Sequence, residues 1–61
     1  MPHYFVMDNA YIVRVSDDGM DAVIVRRDGT EKPTDAYKTI TDGHEISEAK
    51  ARTYYRDTYN S

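Results

Sequence analysis

Apolar and polar residues alternate with a period of two near the middle of the chain. Tyr11, Val13 and Val15 fall on one side of an extended backbone, and the residues between them fall on the other. Such alternation is typical of a strand that turns one face toward a core. The pattern therefore predicts a β-strand over residues 10–16.

A second apolar run, over residues 20–27, is rich in β-branched side chains and predicts another strand. Asp18-Gly19 separates the two runs. Asp-Gly favours tight reversals because glycine accepts a positive φ without a Cβ clash. We expect an antiparallel hairpin with a three-residue loop, which would set Val13 opposite Val23.

The apolar and aromatic residues at the start of the chain predict a strand over 3–8. Two interpretations fit the polar pair Asp8-Asn9 that follows. It is either a two-residue hairpin turn, since both residue types tolerate positive φ, or a bulge in one long bent strand. We favour the hairpin.

Asp28-Gly29 predicts a second reversal, after which a fourth strand could begin. The candidates are residues 30–32, or residues 36–40 as a short edge strand or an ordered loop. Pro33 argues against a central strand here, because proline cannot donate a hydrogen bond to the ladder.

The last third of the chain changes period and predicts a helix over about 47–59. Ser47 is a suitable N-cap, and Glu48 in the first turn suits the helix dipole. We interpret Asp42-Gly43 as the boundary where sheet gives way to helix. The predicted solvent-facing ladder is Glu48, Arg52 and Arg56, and the predicted buried stripe is Ala51, Tyr54, Tyr55 and Tyr59.

These elements predict a single α+β domain over residues 1–61. Its architecture would be a small antiparallel β-meander of three or four strands with one C-terminal helix packed on one face. An SH3-like small barrel with a terminal helix is the alternative. A domain of this size buries only about 60% of the surface that its unfolded chain exposes, so the core must be small.

Composition adds three constraints. The chain has no cysteine, so disulfides and thiolate metal sites are excluded, and its formal charge is −3. Acidic and basic residues are interspersed, which mildly opposes binding to a polyanion. Neither a membrane-length apolar run nor a signal-peptide pattern is recognisable, so we expect a cytoplasmic protein.

Potential sites for chemistry are weak in this sequence. Asp17, Asp18 and Asp21 lack the spacing of a calcium loop, and Asp42, His44 and Glu45 offer too few ligands for a typical zinc site. No nucleotide loop or nucleophile motif is present. We therefore expect no enzyme activity, no cofactor and no metal.

The aromatic composition is the remaining functional signal. Six tyrosines accompany one phenylalanine and no tryptophan, and interfaces enrich tyrosine and arginine. The hypothesis is a non-catalytic interaction module that binds and modulates a larger protein, as small accessory or phage-type inhibitors and regulators do. The predicted contact residues are Tyr54, Tyr55, Tyr59, Arg52 and Arg56, with an acidic rim of Asp17, Asp18 and Asp21.

Two alternatives remain open. One is a nucleic-acid-binding β-module in which Tyr11 stacks a base and Arg14, Arg26 and Arg27 contact phosphates, although the net negative charge makes a nucleic-acid partner less favoured. The other is a small structural subunit that exists mainly as a homodimer, because a core this small often needs a partner chain.

Overall fold

The computed structural model describes residues 1–8, 11–26 and 28–59, with side chains in the last helix described as far as Tyr54. These residues form five strands and two helices: β1 (His3–Met7), β2 (Tyr11–Val15), β3 (Ala22–Val25), β4 (Glu31–Thr34), α1 (Ala36–Asp42), β5 (His44–Ile46) and α2 (Glu48–Tyr59). The strands make one antiparallel sheet in the order β4-β3-β2-β1-β5.

The predicted α+β meander with a C-terminal helix is confirmed. Strands β1 to β4 follow one another in the sheet by simple hairpins, and α2 occupies the predicted range. The SH3-like barrel is wrong, because β4 and β5 form the two edges of the described sheet and do not pair with each other. The sheet is open.

The first hairpin joins β1 to β2, so Asp8-Asn9 does not bulge a single strand. Met7 lies opposite Tyr11, which makes the loop three residues long rather than the two that we expected. Asp8 adopts a positive φ of 56°, as expected for a turn residue. Asn9 lies outside the described residues.

The second hairpin is confirmed, but its register is shifted by one residue. Val13 lies opposite Ile24, not Val23. The cause is a loop one residue longer than predicted: the Ser16 amide donates to the Asp21 carbonyl at 2.8 Å, leaving four residues between them. Because side chains alternate along a strand, this shift moves Val23 to the opposite face of the sheet from Val13.

Residues 36–42 form a helix, so the prediction of an edge strand or ordered loop over 36–40 was wrong. The carboxylate of Asp35 caps the helix by accepting a hydrogen bond from the Lys38 amide at 3.1 Å. Ala36 and Thr39 are buried on one side of α1, and the Thr39 hydroxyl donates to the Asp35 carbonyl. The other candidate range, 30–32, overlaps β4.

Asp42-Gly43 connects α1 to β5, so it does not mark the change from sheet to helix. Gly43 has an extended backbone, with φ of −82°. A Cβ added there would lie 2.6 Å from the Thr39 carbonyl oxygen, 2.9 Å from the Met7 sulfur and 3.2 Å from Phe5 Cβ. Glycine is therefore required for close packing against the end of α1 and against β1, whereas Gly19, with φ of +75°, is required for a turn.

A helix covers each face of the sheet. The α1 side holds the main core, in which Ala36 packs with Phe5, Met7, Val13, Val15 and Ala22. On the opposite face, Ile12 and Ala51 of α2 are both buried and border the same cleft. The prediction had one helix, at the C-terminus, whereas the structure also has α1 on the other face of the sheet.

Pro33 lies on the free edge of the sheet, as the prediction required. The Arg26 amide donates a hydrogen bond to the Thr30 carbonyl, so Arg26 and Thr30 form a hydrogen-bonded pair of the β3–β4 ladder. Pairs alternate along an antiparallel ladder, so Pro33 occupies a non-hydrogen-bonded position opposite Val23. Its nitrogen therefore faces away from β3, and no ladder bond is lost.

Replacing Gly43 by alanine should destabilise the protein by about 1–3 kcal/mol, because the added methyl overpacks the contacts with the Thr39 carbonyl and with β1. The measurement is the free energy of unfolding in urea. Asp42→Ala is the control, since Asp42 is the exposed neighbour of Gly43 and its replacement should change stability by no more than about 0.5 kcal/mol. Equal losses in both variants would contradict the close-packing role.

Candidate functional site

The two faces of the sheet carry different surfaces. Alternation places Phe5 and Val15 on the face that α1 covers, and Tyr4, Ile12 and Arg14 on the face that α2 covers. Among the described residues, each helix has a cleft beside it. Carboxylates line one cleft, and guanidinium groups line the other.

The cleft beside α1, which we call the acidic groove, has a volume of about 260 Å³. Phe5, Val15 and Ile40 supply its apolar surface. Its remaining lining residues are His3, Asp17, Asp18, Gly19 and Glu45. The groove therefore combines an apolar floor with three carboxylates.

Hydrogen bonds hold the carboxylates of the acidic groove in place. The Met1 ammonium lies 2.8 Å from Asp17 Oδ1, and this contact lowers the pKa of Asp17 below its ordinary value of 3.8. The Ser16 hydroxyl and the Met20 amide donate to Asp18 Oδ1 at 2.6 and 2.9 Å, and they lower the pKa of Asp18. Both carboxylates are ionised at neutral pH.

Ile40, which lines the groove, is one of several exposed apolar side chains. Among the described residues, the large apolar side chains left exposed are Met1, Met20, Tyr37 and Ile40. Tyr37 and Ile40 are 79% and 48% exposed and lie three residues apart on α1, hence on one side of the helix. A Cβ at Gly19 would lie 3.9 Å from Ile40 Cδ1, so the loop that carries Met20 touches α1.

Sequence analysis missed Tyr37 and Ile40 because it did not recognise α1. The sequence does contain a local signal for this helix. Asp35 is a good N-cap residue two positions after Pro33, and Ala36 and Thr39 have the spacing of a buried helical stripe.

The cleft beside α2, which we call the arginine cleft, has a volume of about 190 Å³. Its surface is formed by Ile12, Val25 and Ala51, with Tyr4, Arg14 and Arg52 as the remaining lining residues. Arg14 Nη2 lies 2.9 Å from Glu31 Oε1, and Arg52 Nη2 lies 2.8 Å from Glu48 Oε1. The second contact confirms the predicted pairing of Glu48 with Arg52.

A smaller depression of about 120 Å³ adjoins the arginine cleft, because Arg14 lines both. Ser16, Asp21 and Val23 are among its other lining residues. Asp21 therefore lies on the α2 face of the sheet, unlike Asp17 and Asp18.

The structure thus separates the residues that we predicted to contact a partner. Asp17 and Asp18 line the acidic groove, whereas Arg52 and Asp21 lie on the other face. Tyr54 is half-buried. The side chains of Tyr55, Arg56 and Tyr59 lie outside the described residues, so their role stays a prediction.

The residues proposed for nucleic-acid contact do not converge on one face. Tyr11 packs against the core on the α1 side, and Arg14 lies on the α2 side, paired with Glu31. Arg26 is exposed just beyond β3, and Arg27 lies outside the described residues. A base stacked on Tyr11 would therefore be out of reach of Arg14.

Neither a metal-ligand cluster nor a membrane-spanning helix is found in the described part of the chain. There, no group of three or more histidine and acidic side chains is placed to hold a metal ion. Asp42, His44 and Glu45 accordingly do not form such a group, and His3 Nδ1 instead lies 2.9 Å from Glu45 Oε2. None of the described helices combines the length and apolar character needed to cross a membrane.

Comparisons with protein-family models, curated proteins and solved structures found no match for this chain.

Ser16→Ala should raise the pKa of Asp18 toward 3.8, because it removes the hydroxyl donor. A carboxyl group whose pKa is lower in the folded than in the unfolded state stabilises the folded protein above about pH 3.8. That contribution disappears as the pH falls through the pKa of the folded state. The stability difference between wild type and variant should therefore shrink in acid. NMR titration of the carboxyl carbons measures the pKa of Asp18, and unfolding at several pH values measures the stability difference.

Thr30→Val is the matched control for this titration. Thr30 donates its amide and hydroxyl to Asp28 Oδ1 in the next Asp-Gly turn and lowers the pKa of Asp28. This variant should raise the pKa of Asp28 and leave that of Asp18 unchanged. A pKa of Asp18 that does not respond to Ser16→Ala would contradict the assigned cause.

Proposed function

We propose that this chain is a cytoplasmic, non-catalytic interaction module that binds a larger protein and modulates it, as an accessory inhibitor or regulator does. The observation that carries the proposal is the exposure of Tyr37 and Ile40 beside the acidic groove. Exposed apolar residues next to a concave surface are typical of protein interaction sites.

The apolar surface favours a protein partner. Tyr37 presents a rigid ring at low cost in conformational entropy, and tyrosine is enriched among residues that dominate binding energy. Together with Ile40 it offers an anchor for apolar side chains of a partner.

The charges around the groove favour a basic segment of that partner. Asp17 and Asp18 are ionised and Glu45 lies on the same groove. The Met1 ammonium on Asp17 is an example of a cation held at this position. A lysine or arginine next to an apolar residue would satisfy both features of the groove.

The chemistry of the described groove supports binding over catalysis. General acid–base catalysis at neutral pH uses groups whose pKa is brought near the working pH. Here the hydrogen bonds to Asp17 and Asp18 shift each pKa in the opposite direction, away from neutrality. Such carboxylates act as fixed negative charges.

The test is capture from a lysate of the native host with the full chain as bait. We expect retention of a larger protein whose activity changes when the chain is added to it in purified form. The double variant Tyr37→Gln with Ile40→Gln should lose at least about tenfold of the captured protein, because it removes both apolar anchors. Quantitative mass spectrometry measures the retained amount.

Lys38→Gln is the control, since Lys38 is exposed on the same helix but lies about 100° or more around the helix axis from Tyr37 and Ile40. Thermal unfolding of all three proteins checks that the variants fold. Equal capture by the double variant and the wild type, or no protein retained above background, would contradict the proposal.

A further inference from the structure

The arginine cleft offers a second binding surface, in which guanidinium groups take the place of the carboxylates of the acidic groove. Ile12 and Ala51 form a buried apolar floor, and two guanidinium groups lie at its border. Each guanidinium has five N–H donors, and the ion pairs of Arg14 and Arg52 each use Nη2. Donors therefore remain for a further carboxylate.

The ion pairs at the cleft are easy to exchange. Glu31 and Glu48 are both solvent-accessible, and exposed pairs contribute only about 0–1 kcal/mol. A ligand carboxylate that arrives with an apolar side chain gains the burial of that side chain as well. The cleft thus fits an apolar residue that is adjacent to an acidic one.

This chain contains such a segment on its own surface. Met20 is 76% exposed and is followed directly by Asp21 in the loop between β2 and β3. Asp17 and Asp18 precede it and add to the negative charge of the loop. The loop thus offers a carboxylate beside an apolar side chain, and the cleft offers guanidinium donors beside an apolar floor.

Their relative position suits a two-fold arrangement. Arg14 lines the arginine cleft and also the depression that contains Asp21, so both halves of the contact lie side by side on the α2 face. In a dimer with a two-fold axis, the same patch serves both subunits, and each loop meets the partner's cleft.

We infer that two copies of this chain form a two-fold dimer in which Met20 and Asp21 of each copy dock into the arginine cleft of the other. Met20 covers the apolar floor at Ile12 and Val25, and Asp21 accepts hydrogen bonds from Arg52. The dimer uses the face opposite the acidic groove and does not depend on the function proposed above.

A nucleic-acid strand is a poorer occupant of this cleft. Single strands bind along a track of cations with aromatic rings for the bases. The described cleft has two arginines, each beside a glutamate, and an aliphatic floor with Tyr4 as its one aromatic lining residue. The experiment below therefore includes a measurement of single-strand binding.

Analytical ultracentrifugation of the purified full chain tests the inference at low salt, from about 10 μM to about 1 mM. We expect the mass to rise with concentration to twice that of the monomer and no further. Arg52→Glu and Asp21→Arg should each weaken the dimer roughly tenfold, and combining both in one chain should restore most of the loss. Added salt should weaken the wild-type dimer.

Lys50→Glu is the matched control, because it makes the same charge reversal on α2 at an exposed position that does not line the cleft. It should leave the dimer constant unchanged. Restoration by the double variant excludes misfolding as the cause of the single-variant losses.

Four results would overturn the inference: a monomer at every concentration, single variants that associate as well as wild type, a double variant without restored association, or open-ended assemblies larger than a dimer. A fluorescent single-stranded oligonucleotide is added as a probe. Binding that depends on Arg14 and Arg52 in a chain that stays monomeric would assign the cleft to nucleic acid instead.

Discussion

The fold depends on burying the central strand from both sides. Ile12, Val13 and Val15 of β2 are each 1% exposed, and successive residues of a strand point to opposite faces. A strand with this pattern is stable only when both faces of its sheet are covered. In 61 residues, two helices provide that cover, and the described side chains leave a cleft on each face. The acidic groove and the arginine cleft are the parts left open.

Local signals in the sequence predicted the elements that depend on neighbouring residues. Ser47 caps α2 by accepting a hydrogen bond from the Lys50 amide, and the turns at Asp18-Gly19 and Asp28-Gly29 form as expected. Helix α1 was missed although its N-cap at Asp35 is a local signal, whereas β5 was missed because it depends on a distant contact. Strand β5 has three residues and is stabilised by pairing with β1, which no local pattern indicates.

The candidate site was less predictable than the fold. Sequence reasoning placed Arg52 and Asp17 in one contact surface, yet they lie on opposite faces of the sheet. Which residues share a face depends on strand register, and the loop network around Ser16 shifted the register by one residue. Tyr37 escaped notice because its exposure follows from the burial of Ala36 and Thr39 on the other side of a helix that was not expected.

Pro33 has a consequence for the behaviour of the protein at high concentration. Strand β4 is the longer of the two edges, and a free edge normally offers a row of donors and acceptors on which another strand can grow. Proline removes a donor from the side of β4 that faces solvent. A further strand that paired with this edge would have one carbonyl without a donor, which opposes fibril growth along the edge. The chain can thus expose apolar side chains on its faces while its backbone resists templated aggregation.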